Sequence, residues 1–219
     1  SRGIVSQITQ RLKQPDKISC IHNPVRFAPP ACGPVQTRPD KPTILAVGRI
    51  THQKDYLNLL RAFAAVRARH DARLVIVGGV HEQGEKRQLD DYIQSNGLAG
   101  SVEFAGYTDN VETFYREADL FVLSSVSEGF GNVLVEALAF GLPVVSTNCE
   151  HGPAEILCDG QYGTLVPVGN STALAEAIVN ALNTPVCDRE ALRRRSRDFS
   201  EERIGAQYWG LIENLLQTR

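Results

Sequence analysis

The stretch Ser124-Ser125-Val126-Ser127-Glu128-Gly129-Phe130-Gly131-Asn132-Val133-Leu134-Val135-Glu136-Ala137-Leu138-Ala139-Phe140-Gly141-Leu142-Pro143 decides the fold. The apolar run Leu120 to Leu123 leads into it and gives way to polar residues and two glycines. An amphipathic helix begins near Gly131 and stops at Gly141-Leu142-Pro143, ahead of a second apolar run, Val144-Val145. Strand, tight Gly-containing turn and helix, in that order, place a helix N-terminus at the carboxyl edge of a parallel sheet. Such an end carries unpaired N–H groups and partial positive charge, so it binds anions, phosphate above all. Glu128 precedes the helix and Glu136 falls in its second turn. A carboxylate accepts paired hydrogen bonds from neighbouring hydroxyls, as on ribose or a hexose. The local chemistry therefore suits a ligand that is part phosphate and part sugar.

Outward from that stretch the chain alternates regularly. Strands are expected at Thr43–Val47, Leu74–Val77, Val102–Phe104, Leu120–Leu123, Val144-Val145 and Gly163–Val166. Helices are expected at Asp55–Arg69, Glu82–Ser95, Val111–Arg116, Ala173–Leu182 and Arg189–Arg197, with a short one ending at Ile156-Leu157. Ser200-Glu201-Glu202-Arg203 reads as the N-cap of a final helix to about Leu216. Strands alternating with helices predict an α/β fold, a doubly wound, Rossmann-like parallel sheet covered on both faces. Before it, a helix over Ile4–Leu12 and a short strand at Ile18–Ile21 precede a run with six prolines from Pro24 to Pro42. That density predicts a linker and a boundary near residue 40, dividing 1–40 from a domain at 41–219.

Composition narrows the function classes. At 219 residues the chain can bury a full core. Apolar content of 42% and charged content of 22% are those of an ordinary globular protein. A net charge of −2 supplies no basic field for nucleic acid. The five cysteines, Cys20, Cys32, Cys149, Cys158 and Cys187, are scattered with no Cys-x-x-Cys, so neither a disulfide framework nor a zinc site is expected, and a reducing compartment is. No apolar stretch approaches the roughly 20 residues needed to cross a bilayer. The chain contains no methionine, which suggests a fragment or a processed product. The Arg193-Arg194-Arg195 run reads as a solvated helix face, with an anionic-lipid contact as the alternative.

Ligands of such sheets lie beyond the carboxyl ends of the strands. Three exit loops carry unusual residues there. Gly48, Arg49 and Lys54 follow the first strand, and both cations can reach phosphate, Arg as a planar fork and Lys as a point charge. Gly106-Tyr107-Thr108-Asp109-Asn110 offers a ring and free backbone groups for a nucleobase. The third loop holds Glu128, Gly129, Phe130, Gly131 and Asn132, with Glu136 beyond. Each has a plainer reading: Arg49 and Lys54 as solvated helix-capping charges, Tyr107 as a half-buried packing ring, Glu128 as a complement to the helix dipole, Glu136 as a surface helix residue.

Taken together, Arg-x4-Lys after the first strand and Glu-Gly-Phe-Gly-Asn-Val-Leu-Val-Glu after the fourth resemble the C-terminal domain of retaining GT-B glycosyltransferases of the E-x7-E, group 1 superfamily. Further matching segments are Phe104-Ala105-Gly106, Ala118 to Ser125, Gly141 to Thr147, Gly152 to Leu157 and Gly163 to Pro167. Ile21-His22-Asn23-Pro24-Val25 is similar to the end of that family's N-terminal domain. The resemblance implies a donor-binding half whose acceptor-binding half lies outside this chain. It implies that Arg49 and Lys54 neutralise a diphosphate, with backbone N–H groups near Gly131-Asn132 assisting. Glu136 would hold ribose, the Gly106-Tyr107 region the base, and Glu128 with the Gly129 and Phe130 backbone the donor hexose.

Transfer of a hexose or N-acetylhexosamine to a glycan or lipid-linked acceptor follows, UDP being favoured over GDP. No metal, no cofactor and no nucleic acid is expected. The resemblance implies polysaccharide biosynthesis in a bacterial cytoplasm or at the cytoplasmic face of the inner membrane, with peripheral membrane contact of the full enzyme. A non-catalytic, stand-alone nucleotide-sugar-binding module is the alternative. Two departures from the family pattern stand out: Asp55 follows the lysine where glycine is usual, and Gly79-Val80-His81 replaces a common Gly-Asp-Gly turn.

Overall fold

A computed structural model describes residues 1–9, 18–26, 41–184 and 188–217. Six strands form one parallel sheet: β1 (Thr43–Val47), β2 (Arg73–Val77), β3 (Val102–Gly106), β4 (Leu120–Leu123), β5 (Val144–Thr147) and β6 (Thr164–Val166). Their spatial order is β3-β2-β1-β4-β5-β6. The helices are α1 (Arg2–Thr9), α2 (Tyr56–Arg67), α3 (Gln83–Ser95), α4 (Val111–Glu117), α5 (Asn132–Ala139), α6 (Pro153–Ile156), α7 (Ser171–Asn183), α8 (Arg189–Ser196) and α9 (Glu201–Gln217).

The sheet is buried on both faces, and strand alternation assigns each residue to a side. Ile44 and Ala46 of β1, Leu74 and Ile76 of β2, and Leu120 and Val122 of β4 join one core with Leu59, Phe63, Leu89 and Ile178 from α2, α3 and α7. Leu45, Val75 and Phe121 point the other way and join Tyr115, Leu134, Leu138 and Leu192 from α4, α5 and α8. The expected α/β, doubly wound architecture is thus the observed one. The strand order reverses between β1 and β4, and a crevice opens there because the following segments depart toward opposite faces.

Two expectations at the N-terminal end change. The strand read at Ile18–Ile21 does not form; in that segment only Val25 makes a β-bridge, to Ser200, its N–H donating to Phe199 O at 2.9 Å. His22 of that segment lies against Glu155 of α6 and the rings of Phe130 and Phe199 instead, and apolar β-formers need a neighbouring strand to become one. The helix expected over Ile4–Leu12 is observed as Arg2–Thr9, its last part falling outside the described residues, as do most of the Pro-rich run and the boundary near residue 40. At the other end, Ser200 Oγ accepts from Arg203 N at 3.3 Å and opens α9 as its sequence signature requires. Within α9 only Ile204 is buried, while Tyr208, Trp209, Ile212, Leu215 and Leu216 stand exposed. Among the described residues no helix is long and apolar enough to cross a membrane.

Candidate functional site

The exit loops of β1 and β4 meet across the switch point and are joined by hydrogen bonds to each other's backbone. Val126 N–H donates to Gln53 O at 2.9 Å, Gln53 Nε2 to Ser127 O at 2.7 Å, and Ser124 Oγ to Lys54 O at 2.7 Å. Lys54 Nζ then reaches Glu128 Oε1 at 2.7 Å, with side chains only 14% and 10% exposed, and Ser125 Oγ donates to the same carboxylate oxygen at 2.7 Å. A residue read as a phosphate ligand and one read as a sugar ligand are therefore each other's partner in this structure. The lysine stem lies so close over Gly48 that a Cβ there would sit 2.6 Å from Lys54 Cε, and Gly48 O accepts the buried Tyr56 hydroxyl at 2.9 Å. Asp55 adopts φ 45°, the left-handed region in which glycine costs least, which accounts for glycine at this place in the family pattern. Its carboxylate offsets that strain by accepting Asn58 N–H at 3.2 Å as the cap of α2. The other departure, Gly79-Val80-His81, also supports the loop: Ile50 N–H bonds Gly79 O at 2.9 Å.

α5 starts at Asn132 behind Gly131, which has φ 98° and no side chain to bond the first N–H groups. The helix end thus keeps its anion-binding character. One turn in, Glu136 Oε2 accepts the Tyr115 hydroxyl at 2.7 Å. Tyr115 is buried, stacked on Phe140 with centroids 5.3 Å apart, and its own phenol is pushed up by burial and by Glu136. Burial raises Glu136, only partly countered by the Tyr115 bond and the Lys54 charge. The folded state consequently holds this proton to higher pH than the unfolded chain. Stability falls as pH climbs from the ordinary value of 4.5 through the raised folded value, and it stays lowered above that. Glu136→Gln never ionises, so it is expected to melt a few degrees above wild type at neutral pH, with the gap closing below 4.5. Thermal melts across that pH range check this, and a gap that widened in acid would refute it.

The remaining candidates separate. Arg49 is exposed and makes no ion pair or side-chain hydrogen bond among the described residues. Tyr107 is 78% exposed, its hydroxyl bonded to Asp109 Oδ1 at 2.7 Å, so it is not the half-buried packing ring of the plainer reading. It stands beyond Gly106, whose φ of 73° turns the chain out of β3. A Cβ on Gly129 would meet nothing within 4 Å, but the Phe130 ring is buried, 5.4 Å from His22 and 5.3 Å from Phe199 between centroids, so the ring itself is taken up in packing. Sequence reading missed Ser125, Gln53, Tyr115 and Cys149. Cys149 is a buried thiol pushed up to about 11 by burial and by the Glu128 charge. Tyr115 carried one available signal: a phenol at the end of an otherwise apolar helix face needs a hydrogen-bond partner.

Known proteins resemble this chain in sequence and in fold. The family description "Glycosyl transferases group 1" matches residues 34–199. Lipopolysaccharide core biosynthesis glycosyltransferase LpsE of Rhizobium meliloti is 33% identical over 185 residues, covering 81% of this chain and 52% of that protein. The chain spans about half the length of the first curated relatives it matches. A glycosyltransferase of Rickettsia africae superposes with a TM-score of 0.90 at 21% identity, over 100% of this chain and 63% of that one. Anabaena HepE, solved with UDP and glucose, superposes with a TM-score of 0.73 at 24% identity, over 80% of this chain and 49% of that one. On the matched span and on the relatives' identity, the chain belongs to the glycosyl transferases group 1 family.

Proposed function

We propose that this chain is the donor-binding half of a retaining glycosyltransferase. It takes a hexose or N-acetylhexosamine from a nucleotide-diphosphate sugar, UDP in preference to GDP, and passes it to a glycan or lipid-linked acceptor. The observation that carries this reading is the meeting of Lys54 with Glu128 at the switch point, near Glu136 and the uncapped start of α5. UDP and glucose in the HepE structure, which shares the fold, support the donor class. In this reading Glu136 accepts the ribose hydroxyls, Tyr107 and Gly106 border the base, and Glu128 with the Gly129 and Phe130 backbone meets the hexose. Arg49 is free to turn onto the diphosphate, and Lys54 divides its charge between Glu128 and the phosphate. Negative charge grows on the departing diphosphate, so cations and N–H dipoles set in place beforehand lower the barrier and no metal is required. The acceptor is held by residues outside this chain, in keeping with its half-length match to its relatives. That same half-length match favours, as a second reading, a chain that by itself binds donor without turning it over.

Calorimetric titration with UDP, GDP and ADP tests the proposal. UDP is expected to bind at least about tenfold more tightly than the others. Glu136→Ala is expected to weaken it roughly 10–100-fold, the range for losing hydrogen bonds to a charged group. No heat from any nucleotide, with the circular-dichroism spectrum intact, would overturn the reading.

A further inference from the structure

A second cluster lies beside the loop that opens α5, where the segment 18–26 crosses α6. Cys20 Sγ, a His22 ring nitrogen and a Glu155 carboxylate oxygen lie within 4.8 Å of one another, all half-buried. His22 Nε2 stands 2.6 Å from Glu155 Oε1. An open cavity of about 580 Å3 adjoins them, lined in part by His22, Glu155, Cys158, Asp159 and Asp198. We propose that Cys20, His22 and Glu155 form a binding site for a borderline-soft divalent metal ion, Zn2+ above all, with water from the cavity as fourth ligand. One thiolate, one imidazole and one carboxylate suit a tetrahedral zinc ion, whereas magnesium and calcium require oxygen throughout. Bonds of about 2.0–2.3 Å to such an ion put its ligand atoms roughly 3.3–3.6 Å apart. The His22–Glu155 contact of 2.6 Å need open by less than about one ångström, and Cys20 need close by no more than roughly that much, since all three ligand atoms already lie within 4.8 Å.

Charge balance is favourable, since a thiolate and a carboxylate together neutralise the ion. The cations beside the cluster do not block it. Arg2 is 82% exposed, with Nε 3.6 Å from Glu155, and it can turn into solvent. Arg195 is committed to Asp198 Oδ2 at 2.9 Å and to the carbonyl oxygens of Glu155 and Ile156. Arg2 N–H bonds both Glu155 oxygens, at 3.3 and 3.0 Å, and still leaves lone pairs for a metal. No spacing rule could have found this site, because Glu155 is 133 residues from His22. Through the His22 ring against Phe130, and Asn23 Nδ2 on Asn132 Oδ1 at 3.3 Å, the ion would brace the 18–26 segment against the loop that opens α5.

Titration of this chain with Co2+ as a visible stand-in, then with Zn2+ in competition, tests the site. One equivalent of Co2+ is expected to give a thiolate-to-metal charge-transfer band, which Zn2+ erases. Cys20→Ser is expected to lose that band. Glu155→Gln is expected to weaken Co2+ binding by at least roughly 10–100-fold, the loss seen when even an outer partner of a metal ligand is removed. Cys158→Ser should bind as the wild type does, and Zn2+ should raise the wild-type melting temperature. A wild-type chain with no charge-transfer band, or a folded Cys20→Ser that keeps it, overturns the assignment. Because the readout is metal and not nucleotide, its failure leaves the donor-site proposal untouched.

Discussion

Gly152→Ala is expected to lower stability by about 3 kcal/mol, the upper range for forcing an atom into a packed interior. A Cβ at this position would fall 1.7 Å from Phe130 O and 2.5 Å from its carbonyl carbon, and φ is 146°. The clash is with backbone, which cannot rotate aside as a side-chain tip would. Either α6 must lift, breaking the Ile156 N–H bond to Gly152 O at 2.8 Å, or the Glu128–Gly131 loop must move. For a domain of this size that cost corresponds to a fall in Tm of roughly 6–12 °C. Gly129→Ala in the same loop is the control, because nothing lies within 4 Å of its added carbon. It should change stability by less than about 0.5 kcal/mol. Thermal and urea denaturation of both variants decides the matter: equal midpoints would mean that the loop does not rest on Gly152. Nucleotide binding should fall with the first substitution and survive the second.

The second large effect concerns Lys54 and Glu128. Lys54→Ala leaves a largely buried carboxylate whose remaining side-chain partner among the described residues is Ser125 Oγ. Breaking such a pair costs about 3 kcal/mol, at the low end of the range because both side chains keep some exposure to water. Removing both charges in Lys54→Met with Glu128→Gln should recover most of that stability, since neither group is then stranded. A coupling of about 2 kcal/mol is the expected non-additivity for residues in direct contact. Turnover should behave differently. Under the proposed function, with the acceptor-binding half supplied, Lys54→Ala is expected to reduce kcat about 10²–10³-fold, the cost of removing one donor to a developing charge. The double variant should stay as inactive as the single one. If stability effects simply added, the ion pair would be incidental; if the double variant regained activity, the lysine would serve only the fold.

The expectations that held and those that did not differ in the range of the physics behind them. Short continuous apolar runs such as Ile44-Leu45-Ala46 and Phe121-Val122-Leu123 depend only on neighbours along the chain, and they appear in the structure as strands with alternate residues in opposite cores. Glycine and proline at Gly141-Leu142-Pro143 stop α5 for equally local reasons: Gly141 has φ 69°, and proline cannot continue a helix. The segment Ile18–Ile21 failed because its β-branched residues report a preference that only a neighbouring strand can satisfy.

From sequence alone came the doubly wound sheet and the exit loops after β1 and β4 that carry Arg49, Lys54 and Glu128, because backbone sterics, strand alternation and turn chemistry are set within a few residues. Only the tertiary structure decided that Lys54 pairs with Glu128 across 74 residues, that Tyr115 bonds Glu136, and that Gly152 must be bare beneath Phe130. Those contacts join separate loops, and their strength depends on the water the packed chain excludes, a quantity that no local pattern of residues contains.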